Sequence, residues 1–197
     1  MNRNILFFVL AISLMISSCG SKTRILVYAS NDIQLDESQK NIKVDDGTTH
    51  NEKILDFGSG PITLNIDGPS GKYTLQTSGP GFYIANLKLD TVVGSFQHIG
   101  ADTGMVKITE DDLKKRIDSL KKLVADSNIS NASQNYFIKP GSIQKITDNI
   151  KARVFGPYTT IPSGFDASTV PEIYKFYAIQ EEREIIANLS KMAGSKP

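Results

Sequence analysis

The sequence predicts an α+β fold, with an N-terminal antiparallel β-sandwich-like region followed by a helical, mixed C-terminal region. Two observations carry this. Between residues 25 and 108, apolar residues recur at every second position in short runs broken by Gly, Pro, Asn and Asp. From residue 109 the period lengthens: Leu113, Ile117, Leu120 and Val124 fall at i, i+4, i+7 and i+11, one face of a helix. The composition, 40% hydrophobic and 22% charged, suits a chain that buries a core.

In order, Ile25, Val27 and Ala29 alternate, as do Ile42 and Val44 before the turn Asp45-Asp46-Gly47. Ile54 to Phe57 leads into Gly58-Ser59-Gly60-Pro61. Ile62, Leu64 and Ile66 stop at Asp67-Gly68-Pro69, and Tyr73, Leu75 and Thr77 stop at Ser78-Gly79-Pro80-Gly81. Phe82 and Ile84 share one parity while Leu87 and Leu89 take the other, which predicts a bulge near Ala85-Asn86. Residues 92–99 and 105–108 complete a set of short strands whose turn spacing fits an antiparallel sandwich or barrel. The recurring Gly-Pro pairs read as turn punctuation, because the strands between them share little else.

Thr109 with Asp112 forms a capping-box-like start for the helix over 109–126. Residues 126–135 are polar and aperiodic, a loop. Tyr136-Phe137-Ile138 reads as a short strand, residues 142–150 as a short helix carrying Ile143, Ile146 and Ile150, and residues 152–155 as extended. Thr169 and Glu172 then make a second capping box for a long helix at about 170–192, with Tyr174, Ala178, Ile185, Leu189 and Met192 as its buried stripe.

The N-terminus has the layout of an export signal: a short start with one positive charge at Arg3, an apolar run from Ile5 to Ile16 broken only by Ser13, and small residues before Cys19. That run is shorter than the roughly 20 apolar residues that a membrane-spanning helix needs. Ile16-Ser17-Ser18-Cys19 resembles the lipobox of bacterial lipoproteins, and the chain resembles the envelope lipoproteins of Bacteroidota. The resemblance implies a signal peptide over 1–18, a diacylglycerol thioether on Cys19 and a lipidated tether over 19–24. It further implies attachment to a membrane through that lipid. In those lipoproteins acidic residues after the cysteine accompany surface export. Here Lys22 and Arg24 stand there, which favours a periplasm-facing outer-membrane location. The domain expectation is then 25–108 β-sandwich-like and 109–197 α-rich.

Charge and cysteine content exclude several functions. The formal net charge is +1, and Arg3 leaves with the signal segment, so no basic excess points to nucleic acid as a partner. Cys19 is the only cysteine, which removes disulfides and cysteine metal sites together. The two histidines, His50 and His98, lie far apart without an H-E-x-x-H, so no metal and no cofactor is expected. His50-Asn51-Glu52 places two ligand types on one strand face, a pattern more often met in an exposed edge histidine. No G-x-S-x-G is present. Ser119-Leu120-Lys121-Lys122 and Ser142-Ile143-Gln144-Lys145 fit S-x-x-K but lack the companion elements of penicillin-binding enzymes, and no catalytic residue is assigned.

One cluster stands out as a possible binding site. Tyr136, Phe137, Arg153, Phe155 and Tyr158 fall in the least regular stretch, beside Pro140-Gly141 and Gly156-Pro157. Aromatics and arginine are what binding surfaces use, although a small core beneath long loops would look the same. The expectation is a lipid-anchored, non-enzymatic binding or assembly module with an envelope-protein or glycan partner. The alternative is a small glycan- or peptide-active hydrolase using carboxylates that no motif reveals.

Overall fold

The computed structural model describes residues 22–38, 40–97, 109–130, 132–166, 170 and 172–194. The expectations for Cys19, for a strand at 105–108 and for Thr169 as a helix cap lie outside these residues. The described chain is mixed α/β, with strands in three four-stranded sheets and two helices.

The strands are β1 (Thr23–Ala29), β2 (Ile33–Asp36), β3 (Asn41–Val44), β4 (Asn51–Phe57), β5 (Thr63–Gly68), β6 (Gly71–Gln76), β7 (Gly81–Asn86), β8 (Val92–Phe96), β9 (Asn135–Ile138), β10 (Ser142–Thr147), β11 (Arg153–Phe155) and β12 (Ile173–Ala178). The helices are α1 (Glu110–Val124) and α2 (Ile179–Gly194). The central sheet has the order β10-β7-β1-β4, the hairpin sheet β2-β3-β5-β6, and the helix-backed sheet β11-β12-β8-β9.

The central sheet is covered on both faces, and β1 shows why. Its residues run Thr-Arg-Ile-Leu-Val-Tyr-Ala, apolar at both parities from Ile25 onward, the signature of a strand buried on two sides. Ile25, Val27 and Ala29 join Tyr83 and Ala85 of β7 in one core with Ile42, Val44, Leu64, Ile66 and Leu75 of the hairpin sheet. Leu26 and Tyr28 join Phe82 and Ile84 in a second core with Val92, Tyr136, Ile138, Tyr174 and Phe176 of the helix-backed sheet. Val93, Leu123 and Ile179 form a third cluster beneath the helices. Complete burial of an aliphatic or aromatic side chain of this size contributes roughly 1.5–3 kcal/mol.

Several expectations need correction. Three strand pairs are parallel, β1 with β7, β3 with β5 and β11 with β12, so the strands do not form a purely antiparallel set. β7 runs without a bulge through Ala85 and Asn86; the irregularity is on its neighbour β10, between Lys145 and Thr147. The segment expected as a short helix, 142–150, is strand β10 over its first six residues. Ile143, Ile146 and Thr147 are β-branched and complete the edge of β7.

The long helix begins at Ile179, not near 170. Residues 173–178 are β12, where Tyr174 and Phe176 point into the second core and pair across to Phe96 and Gly94. The true buried face of α2 is Ile179, Glu182 and Ile186, while Met192 is 65% exposed. α1 matches its expectation: Thr109 caps it, its side chain accepting from Asp112 N at 3.1 Å while Asp112 Oδ2 accepts from Thr109 N at 3.2 Å. The region after residue 108 is less helical than expected, since it supplies β9 to β12, and β9, β10 and β12 pair with strands from before residue 97.

Candidate functional site

The five side chains singled out by sequence occupy separate environments. Tyr136 is buried, and its hydroxyl donates to the Ile146 carbonyl at 2.6 Å. Phe137, on the opposite face of β9, packs on the cluster beneath the helices. Arg153 is exposed on the edge strand β11. Phe155 is half-buried edge-on against Phe165, with ring centroids 5.3 Å apart. Tyr158 is 52% exposed and belongs to a group that the sequence reading did not assemble.

That group lies at the mouth between the central and helix-backed sheets. Register builds it: Tyr28 of β1 pairs with Glu52 of β4 on one side and Asn86 of β7 on the other. Asn86 is fully buried and fully used. Its Nδ2 donates to the carbonyls of Asp90 at 2.8 Å and Ile138 at 3.0 Å, and its Oδ1 accepts from Lys88 N at 3.1 Å. The side-chain amide therefore fixes the turn that presents Lys88. The fourth wall is the loop after β11. Gly156 has φ +104, and a Cβ there would run into the Phe176 carbonyl and lie 2.8 Å from Lys175 Nζ, so only glycine lets the loop approach so closely. Gly156 N donates to Thr159 Oγ1 at 2.6 Å, and Lys175 Nζ donates to the Thr159 carbonyl at 2.9 Å.

Within this mouth His50 Nε2 and Glu52 Oε1 are 2.9 Å apart, the two side chains 19% and 22% exposed. The Tyr158 ring lies on the imidazole at a centroid distance of 3.8 Å, with Lys88 Nζ 4.7 Å from the Tyr158 ring centre. Burial, reinforced by Lys88, pushes His50 down to about 4, so the imidazole is neutral at pH 7. Burial pushes Glu52 up to about 7, against the opposing pull of Lys175 and Lys88. Burial lowers Lys175 and, with Glu52 adding repulsion, raises Tyr28 well above the usual phenol range. The Tyr28 hydroxyl and His50 Nδ1 have no hydrogen-bond partner among the described residues. A neutral imidazole beside a carboxyl poised near neutrality can pass a proton or set the polarity of a ligand contact.

The second candidate surface is the outer face of the hairpin sheet. Strict alternation there puts Leu64, Ile66 and Leu75 inside and their neighbours outside. Two outward rows cross all four strands: Asp36, Asn41, Asn65 and Thr74 in one, Gln34, Lys43, Asp67 and Lys72 in the next. They line a groove of about 720 Å³ with Tyr73 at its side. Asn65 Nδ2 donates to Asn41 Oδ1 at 2.9 Å, and Lys72 sits 3.4 Å from Asp67. Two carboxylates and two ammonium groups leave this face without formal net charge.

A smaller cavity of about 250 Å³ is lined by Glu172, Tyr174, Tyr136 and Lys145 among others. Its carboxylate is already engaged, accepting from Thr147 Oγ1 at 2.6 Å and Tyr174 Oη at 3.0 Å. Burial and the hydrogen bond to Glu172 raise the Tyr174 phenol. Among the described residues no three His, Cys, Asp or Glu side chains gather as metal ligands, and no helix is long and apolar enough to cross a membrane. A scan against protein-family models, a search of curated proteins and a search of solved structures each found no match to this chain.

Proposed function

We propose that the protein is a lipid-anchored cell-envelope binding module that holds a neutral, hydroxyl-rich ligand of the glycan class on the outer face of the hairpin sheet. The observation that carries this is the pair of cross-strand polar rows over a groove of about 720 Å³. Amides, carboxylates and a hydroxyl in register supply donors and acceptors together, and sugar hydroxyls use both. The balanced charge of the face favours an uncharged ligand. The sandwich-like character expected for residues 25–108 belongs to the same proposal: the hairpin sheet, backed by the central sheet through a shared core, gives the rows a rigid support. Titration of the detergent-solubilised full chain with neutral oligosaccharides is the test. Saturable binding lost in Asn65→Ala and kept in Arg153→Ala supports the reading, and no binding to any neutral oligosaccharide ends it.

The anchor is a separate part of the proposal and rests on Ile16-Ser17-Ser18-Cys19. Two or more acyl chains hold a protein stably at a membrane. Cys19→Ala should abolish lipid labelling and release the chain from membranes, and labelling that persists would refute the lipidation. Fractionation of outer from inner membrane checks the proposed periplasm-facing outer-membrane location.

A second reading, a small hydrolase, draws on His50 and Glu52, since a carboxyl pushed up to about 7 has the protonation of a general acid. Turnover of glycan, ester or peptide substrates, lost in Glu52→Gln, would establish it over the binding module.

A further inference from the structure

The mouth between the central and helix-backed sheets holds two nearly buried lysines that no carboxylate among the described residues meets directly. Lys88 and Lys175 are only 7% and 8% exposed. Among the described residues neither ammonium has a carboxylate within ion-pair range. Lys175 is partly compensated. It donates to the Thr159 carbonyl, lies 4.6 Å from the Tyr177 ring centre, and feels Glu181 and Glu182 from α2 as well as Glu52. Lys88 has only the Tyr158 ring, with no hydrogen-bond acceptor among the described residues. Buried charges are ordinarily paired, because an isolated ion loses its hydration with nothing in return. The carboxylate that both lysines act on, Glu52, is itself half-neutral at pH 7.

A second, independent observation lies beneath them. The Tyr28 hydroxyl is fully buried, one strand from Glu52, its ring centre 6.2 Å from that of His50, and among the described residues neither it nor the buried His50 Nδ1 has a partner. Two buried polar atoms without partners, beside a carboxyl that is half-neutral at pH 7, are costly for a merely structural interior. We propose that this mouth is a binding site for a small oxyanion group (carboxylate, sulfate or phosphate), with Lys88 supplying the charge, Tyr28 Oη and His50 Nδ1 the directional bonds, and the Tyr158 ring the cover.

The proton on Glu52 gates the site. With Glu52 protonated, its O–H donates to His50 Nε2, which places the imidazole proton on Nδ1 and makes that atom a donor toward the anion. With Glu52 ionised, Nε2–H donates to the carboxylate, Nδ1 becomes a bare acceptor, and the negative charge on Glu52 opposes an incoming anion. Affinity therefore falls as pH rises through about 7. The other charged or titratable groups that face the mouth are Lys88, Lys175 with Glu181 and Glu182 behind it, Tyr28 and Tyr158.

The experiment is a calorimetric titration of the detergent-solubilised full chain with sulfate, acetate and phosphate, at ionic strength held constant with chloride. Sulfate keeps its charge between pH 6 and 8, so it isolates the protein's own proton. Saturable binding is expected at pH 6, weaker by about tenfold for sulfate at pH 8, and the anion bound most tightly identifies the ligand's acidic group. Lys88→Met should lower affinity by about tenfold or more while leaving the melting temperature without anion unchanged or higher, because the ammonium it removes has no carboxylate partner among the described residues. Should that variant not fold, Tyr28→Phe replaces it, with several-fold weaker sulfate binding expected at pH 6. Absence of saturable binding by all three anions at pH 6 overturns the proposal. So does sulfate affinity that survives Lys88→Met or, in its place, Tyr28→Phe.

Discussion

The hairpin sheet and the mouth beside β4 handle polar side chains in opposite ways. In the hairpin sheet each polar residue stands on the solvent side of a strand whose other side is core, and its partners are cross-strand neighbours such as Asn41 and Asn65. At the mouth the polar groups face inward, between two sheets, and come from β1, β4, the turn after β7, the loop after β11 and from β12. The first arrangement costs little, because water satisfies whatever the neighbours do not. The second carries desolvation that shifts His50 and Glu52 in opposite directions and leaves Tyr28 Oη without an acceptor among the described residues. Rigidity and apolar burial therefore come from the sheet cores, and tunable chemistry is concentrated where two cores part.

The sharpest way to break this contrast is to damage the core that supports the mouth. Phe176 is fully buried between the central and helix-backed sheets. Phe176→Ala should cost about 3–5 kcal/mol by denaturant unfolding, and a loss below about 1 kcal/mol would mean that this core is not tightly packed. Next in size is the pH dependence. The folded pKa of Glu52, about 7, lies above its usual 4.5, so its contribution is fully present below about 4.5 and is lost as pH rises to 7. The folded pKa of His50, about 4, lies below its usual 6.5, so its contribution is present above 6.5 and is lost as pH falls to 4. Between 4.5 and 6.5 the two slopes oppose and nearly cancel. Glu52→Gln removes one of them. Its stability relative to the parent should climb by about 3 kcal/mol between pH 4.5 and 7.5, measured by urea unfolding across that range. A flat difference would refute the buried-carboxyl assignment.

Two tyrosines then sharpen the comparison within one core. Tyr136→Phe leaves the Ile146 carbonyl without its donor and should cost about 1–3 kcal/mol. Tyr28→Phe removes a hydroxyl that has no acceptor among the described residues and should be neutral or stabilising in thermal melts. Equal losses would contradict the difference in their environments. The smallest effect belongs to the hairpin sheet. Thr74→Ala, exposed on β6, should change stability by less than about 0.5 kcal/mol, so any change in ligand binding there is separable from folding.

Much of the hairpin sheet was legible in the sequence because its signal is local. Ile62, Leu64 and Ile66 alternate, and so do Tyr73 and Leu75, so one inside face per strand could be read directly. β2 is four residues long, and its Ile33 and Leu35 give too little pattern to separate from a loop. β12 was misread because Tyr174, Ala178 and Ile185 also fit a helical stripe, and no local rule says that Tyr174 and Phe176 meet a sheet. The buried face of α2 includes Glu182, which a hydrophobic count passes over. The mouth was visible only as the pair His50 and Glu52. Its other members are joined by register, Tyr28 to Glu52 and to Asn86, and pairings between strands distant in sequence leave no trace in periodicity.

β1 lies in the middle of the central sheet, and this has a consequence in time. It precedes every other described strand in the chain, yet its partners are residues 51–57 and 81–86. The hairpins β2–β3 and β5–β6 close over a few residues each and can form as soon as both of their strands have left the ribosome. β1 has to wait for β4 and then β7, with an apolar stretch from Ile25 to Ala29 and both edges open meanwhile. The strand made first is thus enclosed late, and the interval before residue 86 emerges is when the chain most needs protection from pairing with its neighbours.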